Sequence, residues 1–381
     1  MTNLPLSLYI HIPWCVRKCP YCDFNSHAAD AGVPEEAYVD ALVRDLEGEL
    51  PGLAGRSVET VFIGGGTPSL FGPESIARLL GEVRARLSLA DDAEITLEAN
   101  PGTAESGKFL GFREAGVNRL SIGIQSFHEP HLRRLGRIHG REEALHGAEL
   151  AREAGFDNFN LDLMFGLPEQ TADEALEDVR TAIRLNPTHI SFYQLTLEPN
   201  TVFHKFPPAL PGDDERWDMQ QGCQALLAEH GYRQYEVSAY ALEGRRCRHN
   251  LNYWHYGDYL GIGAGAHGKI TDALAGTITR TWKVKHPQHY LDAAGDPARQ
   301  GGRARVAPEA RRFEFLMNAL RLREGFPESL FPERTGLPPA ALEPELAACI
   351  NEGLLQRQYA LVRCTETGYN FLDDVLQRFL E

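Results

Sequence analysis

A chain of 381 residues with 43% hydrophobic and 24% charged residues has the make-up of a folded globular protein, with room for one large barrel and a smaller unit or for two to three ordinary domains. Its net charge of −15 and pI near 5.4 argue against bulk attraction to nucleic acid or anionic lipid. No apolar run reaches the length of a membrane span and no charged leader precedes a greasy stretch, so a cytoplasmic protein is expected.

In chain order, β-rich runs alternate with helical segments. Strands are predicted at 7–13 (SLYIHIP), 58–66, 94–101, 119–126, 159–168 and 189–199. Helices are predicted at 35–50, 73–87, 103–115, 141–155 and 172–186. Six such repeats predict an α/β fold with a parallel sheet under helices, either an open sheet or an incomplete barrel. The residues of chemical interest fall at the C-terminal ends of these strands, the edge where such sheets bind ligands.

Beyond a helix at 213–231 comes the aromatic segment HNLNYWHYGDYLGIGAGAHG (249–268), and a Gly- and Arg-rich passage near 295–307 reads as a linker. From 308 a mostly helical, winged-helix-like unit is expected. Residues 308–381 carry eight Arg, no Lys and twelve acidic residues, a poor reader of phosphates. The expected division is 1–235, a core barrel; 236–307, an extension with the HNLNYW segment and linker; and 308–381, a C-terminal domain.

Three of the seven cysteines crowd into WCVRKCPYCDF, while Cys223, Cys247, Cys349 and Cys364 are scattered. That usage suits reduced thiols with a metal task better than a disulfide framework. The C-x3-C-x2-C spacing of Cys15, Cys19 and Cys22 lets three thiolates hold three irons of a 4Fe-4S cluster, leaving the fourth iron open. An open iron can chelate the amino and carboxylate groups of S-adenosylmethionine, whose sulfonium a cluster electron can cleave. The rival is structural zinc with His11 or His27 as fourth ligand, but the second C-x2-C clip that such sites use is missing.

IHIPWCVRKCPYCDF, FIGGGTPS, EANPGT, SIGIQSF, LGRIHG, NLDLMFGLP and HNLNYW together resemble the radical S-adenosylmethionine superfamily. Within it, they are similar to the HemN/HemW group of anaerobic coproporphyrinogen oxidases and heme chaperones, over nearly the whole chain. The resemblance implies an incomplete (β/α)6 barrel with an appended C-terminal domain. It also implies S-adenosylmethionine contacts at Tyr9, Gly64, Gly65, Gly66, Thr67, Glu98, Gln125, Arg137 and Asp162. A carboxylate such as Glu98 would accept from ribose hydroxyls, Gln125 would do similar work, and the Arg137 fork would meet the methionine carboxylate.

Two departures separate the branches. The oxidase branch has a cysteine where this chain has Phe24, and its N-terminal lid is expected to be absent because Cys15 follows Met1 so closely. HNLNYW resembles the HNxxYW motif of the chaperones, which implies heme as cargo, with His249 as a heme contact beside Tyr253 and Trp254. The implied partners are acceptor hemoproteins, respiratory enzymes of the membrane among them, and not nucleic acid; a homodimer stays open. Coproporphyrinogen oxidation is the alternative. His139, His267 and Cys247 are weaker candidates, expected to bond backbone or pack inertly.

Overall fold

The computed structural model describes residues 4–29, 32–53, 55–102, 107–293 and 295–380. Six strands carry the predicted repeats: β1 (Leu6–Ile12), β2 (Val58–Gly65), β3 (Leu89–Ala99), β4 (Arg119–Gln125), β5 (Phe159–Phe165) and β6 (His189–Gln194). They pair in parallel in chain order, with helices Glu35–Glu49, Pro73–Arg86, Phe109–Glu114, Arg141–Glu153 and Ala172–Arg184 between them. Of the predicted helix at 103–115, the described residues show Phe109–Glu114, and residues 103–106 lie outside the described ones.

Strands buried on both faces usually read as continuous apolar runs. Here they alternate. In β1, Leu6, Leu8, Ile10 and Ile12 belong to the main apolar core, whereas Ser7, Tyr9 and His11 fall on the opposite face. Register extends that second face through Thr60, Glu98, Ser121, Asn160, Asp162 and Ser191. A polar concave face of this kind is a ligand chamber, unlike the packed apolar interior of an ordinary eight-stranded barrel.

Helix ends follow local chemistry. Thr171 caps Ala172–Arg184 in a reciprocal box with Glu174, whose carboxylate accepts from the Thr171 N–H at 2.8 Å. From the same helix, buried Asp178 accepts from Ser126 Oγ (2.7 Å) and the Phe127 N–H (2.6 Å), pinning the turn that follows β4.

The sheet does not close. Beyond β6 it continues antiparallel through β8 (Ala239–Ala241) to β7 (Arg233–Glu236). On the other side, β9 (Asp258–Ile262) lies parallel to β1, followed antiparallel by β10 (His267–Asp272), β11 (Thr277–Lys283) and β12 (Gln300–Arg305). The passage near 295–307 is therefore largely an edge strand and not a linker. Its glycines explain why: a Cβ on Gly302 would meet the Trp282 ring at 2.1 Å, so the indole lies on bare backbone. Together β9–β12 form a wing that carries the concave face outward.

The C-terminal unit packs around a second core, including Phe315, Phe326, Phe331, Val362 and Phe379, which Tyr256 and Ile278 also enter. Helices Pro308–Ala319, Leu330–Thr335 and Glu345–Asn351 precede a hairpin of Leu355–Gln358 and Leu361–Cys364. It is fastened to the wing by Glu314, which pairs with Arg280 (2.7 Å) and accepts from Tyr256 Oη (2.8 Å).

Candidate functional site

The cysteine loop leaves the C-terminal end of β1, where a short parallel bridge joins Trp14–Cys15 to His27–Ala28. Cys15, Cys19 and Cys22 are all unpaired and half-buried, the other four cysteines buried. Burial pushes the Cys15 and Cys22 thiols up, so loading iron must displace protons. Among the described residues, no three His, Cys, Asp or Glu side chains converge tightly enough for a single metal ion. A cubane asks for something wider, one cysteine on each of three irons, a demand that the C-x3-C-x2-C spacing suits. Of the two fourth ligands proposed for zinc, the His11 ring is buried, with Nδ1 on Tyr9 Oη (2.9 Å) and Nε2 on the Asn25 carbonyl (2.8 Å), and His27 Nε2 meets Asn25 Oδ1 at 3.4 Å.

The glycine turn after β2 is stitched to this loop. Gly66 N–H donates to the Ile12 carbonyl and Thr67 N–H to that of Trp14, both at 2.7 Å. Side chains have no room here. A Cβ on Gly66 would meet the Trp14 carbonyl oxygen at 2.5 Å, and Gly65, at φ +117°, would drive one into the His11 ring. Gly64 sits opposite His11 in register.

Behind the turn, Glu98 accepts from the Gly65 N–H at 3.0 Å. Burial, and then the nearby Asp162 carboxylate, outweigh that hydrogen bond and push Glu98 up to about 8. Asp162, also raised by burial, accepts from Asn160 Nδ2 (2.8 Å) and Ser121 Oγ (3.0 Å). Gln125 closes β4 in the left-handed region at φ 70°, a strained posture for a non-glycine residue, and its Oε1 accepts from Tyr193 Oη at 2.8 Å.

Arg137 points at the cysteine loop. Its Nη1 lies 3.8 Å from Cys19 Sγ, and its Nη2 donates to Asn100 Oδ1 (2.6 Å) and the Gly123 carbonyl (2.7 Å). Its buried Nε has no partner, an orphaned donor of the sort a bound carboxylate would satisfy. The predicted cofactor residues thus gather around one end of the sheet, Tyr9, Glu98 and Asp162 sharing a polar chamber of about 230 Å³. Sequence reading missed Asn100 and Tyr193. Asn100 matters most, since its Nδ2 also donates to Thr67 Oγ1 (3.1 Å) and so ties the glycine turn to Arg137. Its place in EANPGT at the end of β3 was the available signal.

HNLNYW forms the helix Arg248–Trp254, which plugs the chamber from below. Glu94 caps it, accepting from the backbone N–H groups of Arg248 and His249 at 3.1 Å each. His249 is buried, with Nδ1 on Thr60 Oγ1 (2.8 Å) and Nε2 on Tyr253 Oη (3.0 Å). Burial holds its pKa down to about 3. Both ring nitrogens being engaged, the expected direct heme contact at His249 is not what this geometry offers; the residue positions Tyr253. Tyr253 and Trp254 do line a larger open cleft of about 750 Å³, which runs from Tyr9 and Glu98 past the cysteine loop to Met317. His139 bonds the Ile124 carbonyl (3.1 Å), and Cys247 is an inert buried thiol raised to about 12.

Comparison with known proteins agrees with this geometry. The Radical SAM superfamily model matches residues 9–182 and the HemN C-terminal domain model residues 306–371. The heme chaperone HemW of Escherichia coli (strain K12) is 52% identical, with 99% of this chain and 98% of the relative covered. HemW of Bacillus subtilis (strain 168) is 35% identical, over 98% and 99%. In fold, the chain is similar to the radical SAM coproporphyrinogen III oxidase HemN of Escherichia coli, with a TM-score of 0.83 at 24% identity, over 99% of this chain and 90% of that one. The chain belongs to the HemW family of radical S-adenosylmethionine proteins.

Proposed function

We propose that this protein is a cytoplasmic heme chaperone, which binds heme beside a cysteine-held cluster and S-adenosylmethionine and delivers it to acceptor hemoproteins, membrane respiratory enzymes among them. The observation that carries this reading is end-to-end kinship, at 52% identity, to a relative named a heme chaperone. Phe24, 58% exposed where the oxidase branch has a cysteine, supports it from the site.

Cys15, Cys19 and Cys22 would hold the cluster, and the Gly64–Thr67 turn, Glu98, Gln125, Arg137 and Asp162 would hold S-adenosylmethionine. When bound, the cluster supplies one-electron chemistry at the sulfonium. The chain's own part is to orient: Arg137 offers charge and an unpaired donor beside Cys19, and Glu98 offers a carboxyl that both donates and accepts near neutral pH. No helix among the described residues is long and apolar enough to cross a membrane.

The test is to offer the reconstituted protein hemin and coproporphyrinogen separately, without oxygen. Saturable hemin binding without decarboxylation is expected. Formation of protoporphyrinogen, with S-adenosylmethionine and reductant present, would overturn the chaperone reading in favour of the oxidase.

A further inference from the structure

The large cleft has two unlike walls. One is the concave face of the wing, where cross-strand pairing puts His267 opposite Trp282 and Lys269 opposite Arg280 and Tyr259. The other is made by the cysteine loop and helix Pro308–Ala319, which contribute two exposed apolar side chains, Phe24 (58%) and Met317 (41%). Exposed apolar groups facing one cleft mark a binding surface. A volume of about 750 Å³ suits a large flat ligand.

A metalloporphyrin needs a free axial donor, apolar walls and cations for its propionates. The histidines lining the cleft are His11, His27 and His267. The first has both nitrogens bonded. His27 leans on Asn25 Oδ1 (3.4 Å) and on the Lys285 backbone. His267 is exposed, and its ring makes no hydrogen bond among the described residues, only a stacked contact with Trp282 at 6.5 Å. Of the cations, Arg280 is committed to Glu314 and Tyr259 Oη, Lys269 to Asp258, and Lys18 donates to the Phe24 and Ser26 carbonyls (3.0 and 3.4 Å), which leaves exposed Lys285 on the rim; the acids of the lining are Asp23 and Glu98.

We propose that this cleft is the heme seat, with the His267 imidazole as axial ligand and Lys285 meeting a propionate. The inference rests on the chaperone reading and locates its cargo. In this arrangement HNLNYW supplies walls, Tyr253 and Trp254, while His249 holds Tyr253 upright from inside the barrel. The macrocycle lies against Phe24 and Met317, on the side of the cleft that faces the cysteine loop.

The experiment titrates cluster-loaded, full-length protein with ferric heme under anaerobic conditions. Wild type is expected to bind saturably with an imidazole-type absorption spectrum. His267→Ala should abolish that signature and weaken affinity at least about tenfold, with cluster absorption unchanged as the check on folding. His267→Cys should restore ligation with a thiolate-type spectrum, a shift that a merely structural role would not produce. Lys285→Glu should weaken heme but not heme dimethyl ester, whose propionates carry no charge. Wild-type spectrum and affinity in His267→Ala would overturn the seat while leaving the chaperone reading intact, as would loss of ligation in His27→Ala alone. Absence of saturable heme binding by wild type would overturn the chaperone reading itself.

Discussion

Replacing Glu98 with Gln tests whether the cofactor chamber holds a carboxyl that is protonated by its surroundings. Glu98 is raised from an ordinary 4.5 to about 8 in the folded chain, burial being the largest cause and Asp162 the next charge, against a lowering by the Gly65 N–H. Between those two values the folded state holds a proton that the unfolded state has released. Stability from this group is therefore greatest below pH 4.5 and falls as pH rises through 8. From pH 6 to pH 8 the linkage relation gives a loss of about 2 kcal/mol, since each pKa unit is worth about 1.4 kcal/mol. Glutamine keeps the shape and the acceptor for Gly65 but carries no proton to lose. Urea or thermal unfolding of cluster-loaded protein without S-adenosylmethionine, at both pH values, should show Glu98→Gln gaining about 2 kcal/mol on wild type over that interval. Parallel pH dependences would refute the reasoning and place the Glu98 carboxyl in the ordinary range.

Asn100→Ala removes the link between Thr67 and Arg137, so S-adenosylmethionine affinity should fall about tenfold, or about 1.4 kcal/mol, with cluster absorption retained. Equilibrium dialysis against wild type checks it. Ala at Cys15, Cys19 or Cys22 should abolish the broad thiolate-to-iron absorption of anaerobically reconstituted protein, whereas Cys223→Ala, at a buried site under the sheet, should retain it. Phe315→Ala empties the centre of the C-terminal core, where its ring meets Phe326 at 4.9 Å and Phe331 at 5.3 Å. The cost should be about 3–5 kcal/mol, read by unfolding or proteolysis of that unit.

Much of the barrel was legible because its signals are local. Six β-rich runs ended by Gly or Pro, with helices between, gave the parallel arc, and cysteine spacing marked the loop. What stayed hidden depends on distant partners. Nothing near residue 260 announces that β9 will lie parallel to β1, some 250 positions earlier, and carry three more strands with it. Gly301 and Gly302 looked like linker residues because the Trp282 ring they accommodate belongs to another strand. His249 looked like a ligand because an imidazole beside Tyr and Trp suits heme. Thr60 and Glu94, which turn it inward, are 155 and more residues away. His267 was expected to bond backbone because it is Gly-flanked, and the wing's register instead sets its ring beside Trp282.

Heme transfer tests the central claim most directly. Protein loaded with ferric heme, cluster intact, is separated from free heme and mixed anaerobically with an apo-hemoprotein, and the acceptor's own absorption band is followed. The account predicts that heme moves to the acceptor at a rate that depends on the chaperone and exceeds release into buffer. Heme that stays bound, or that reaches the acceptor no faster than it dissociates into buffer, would contradict it.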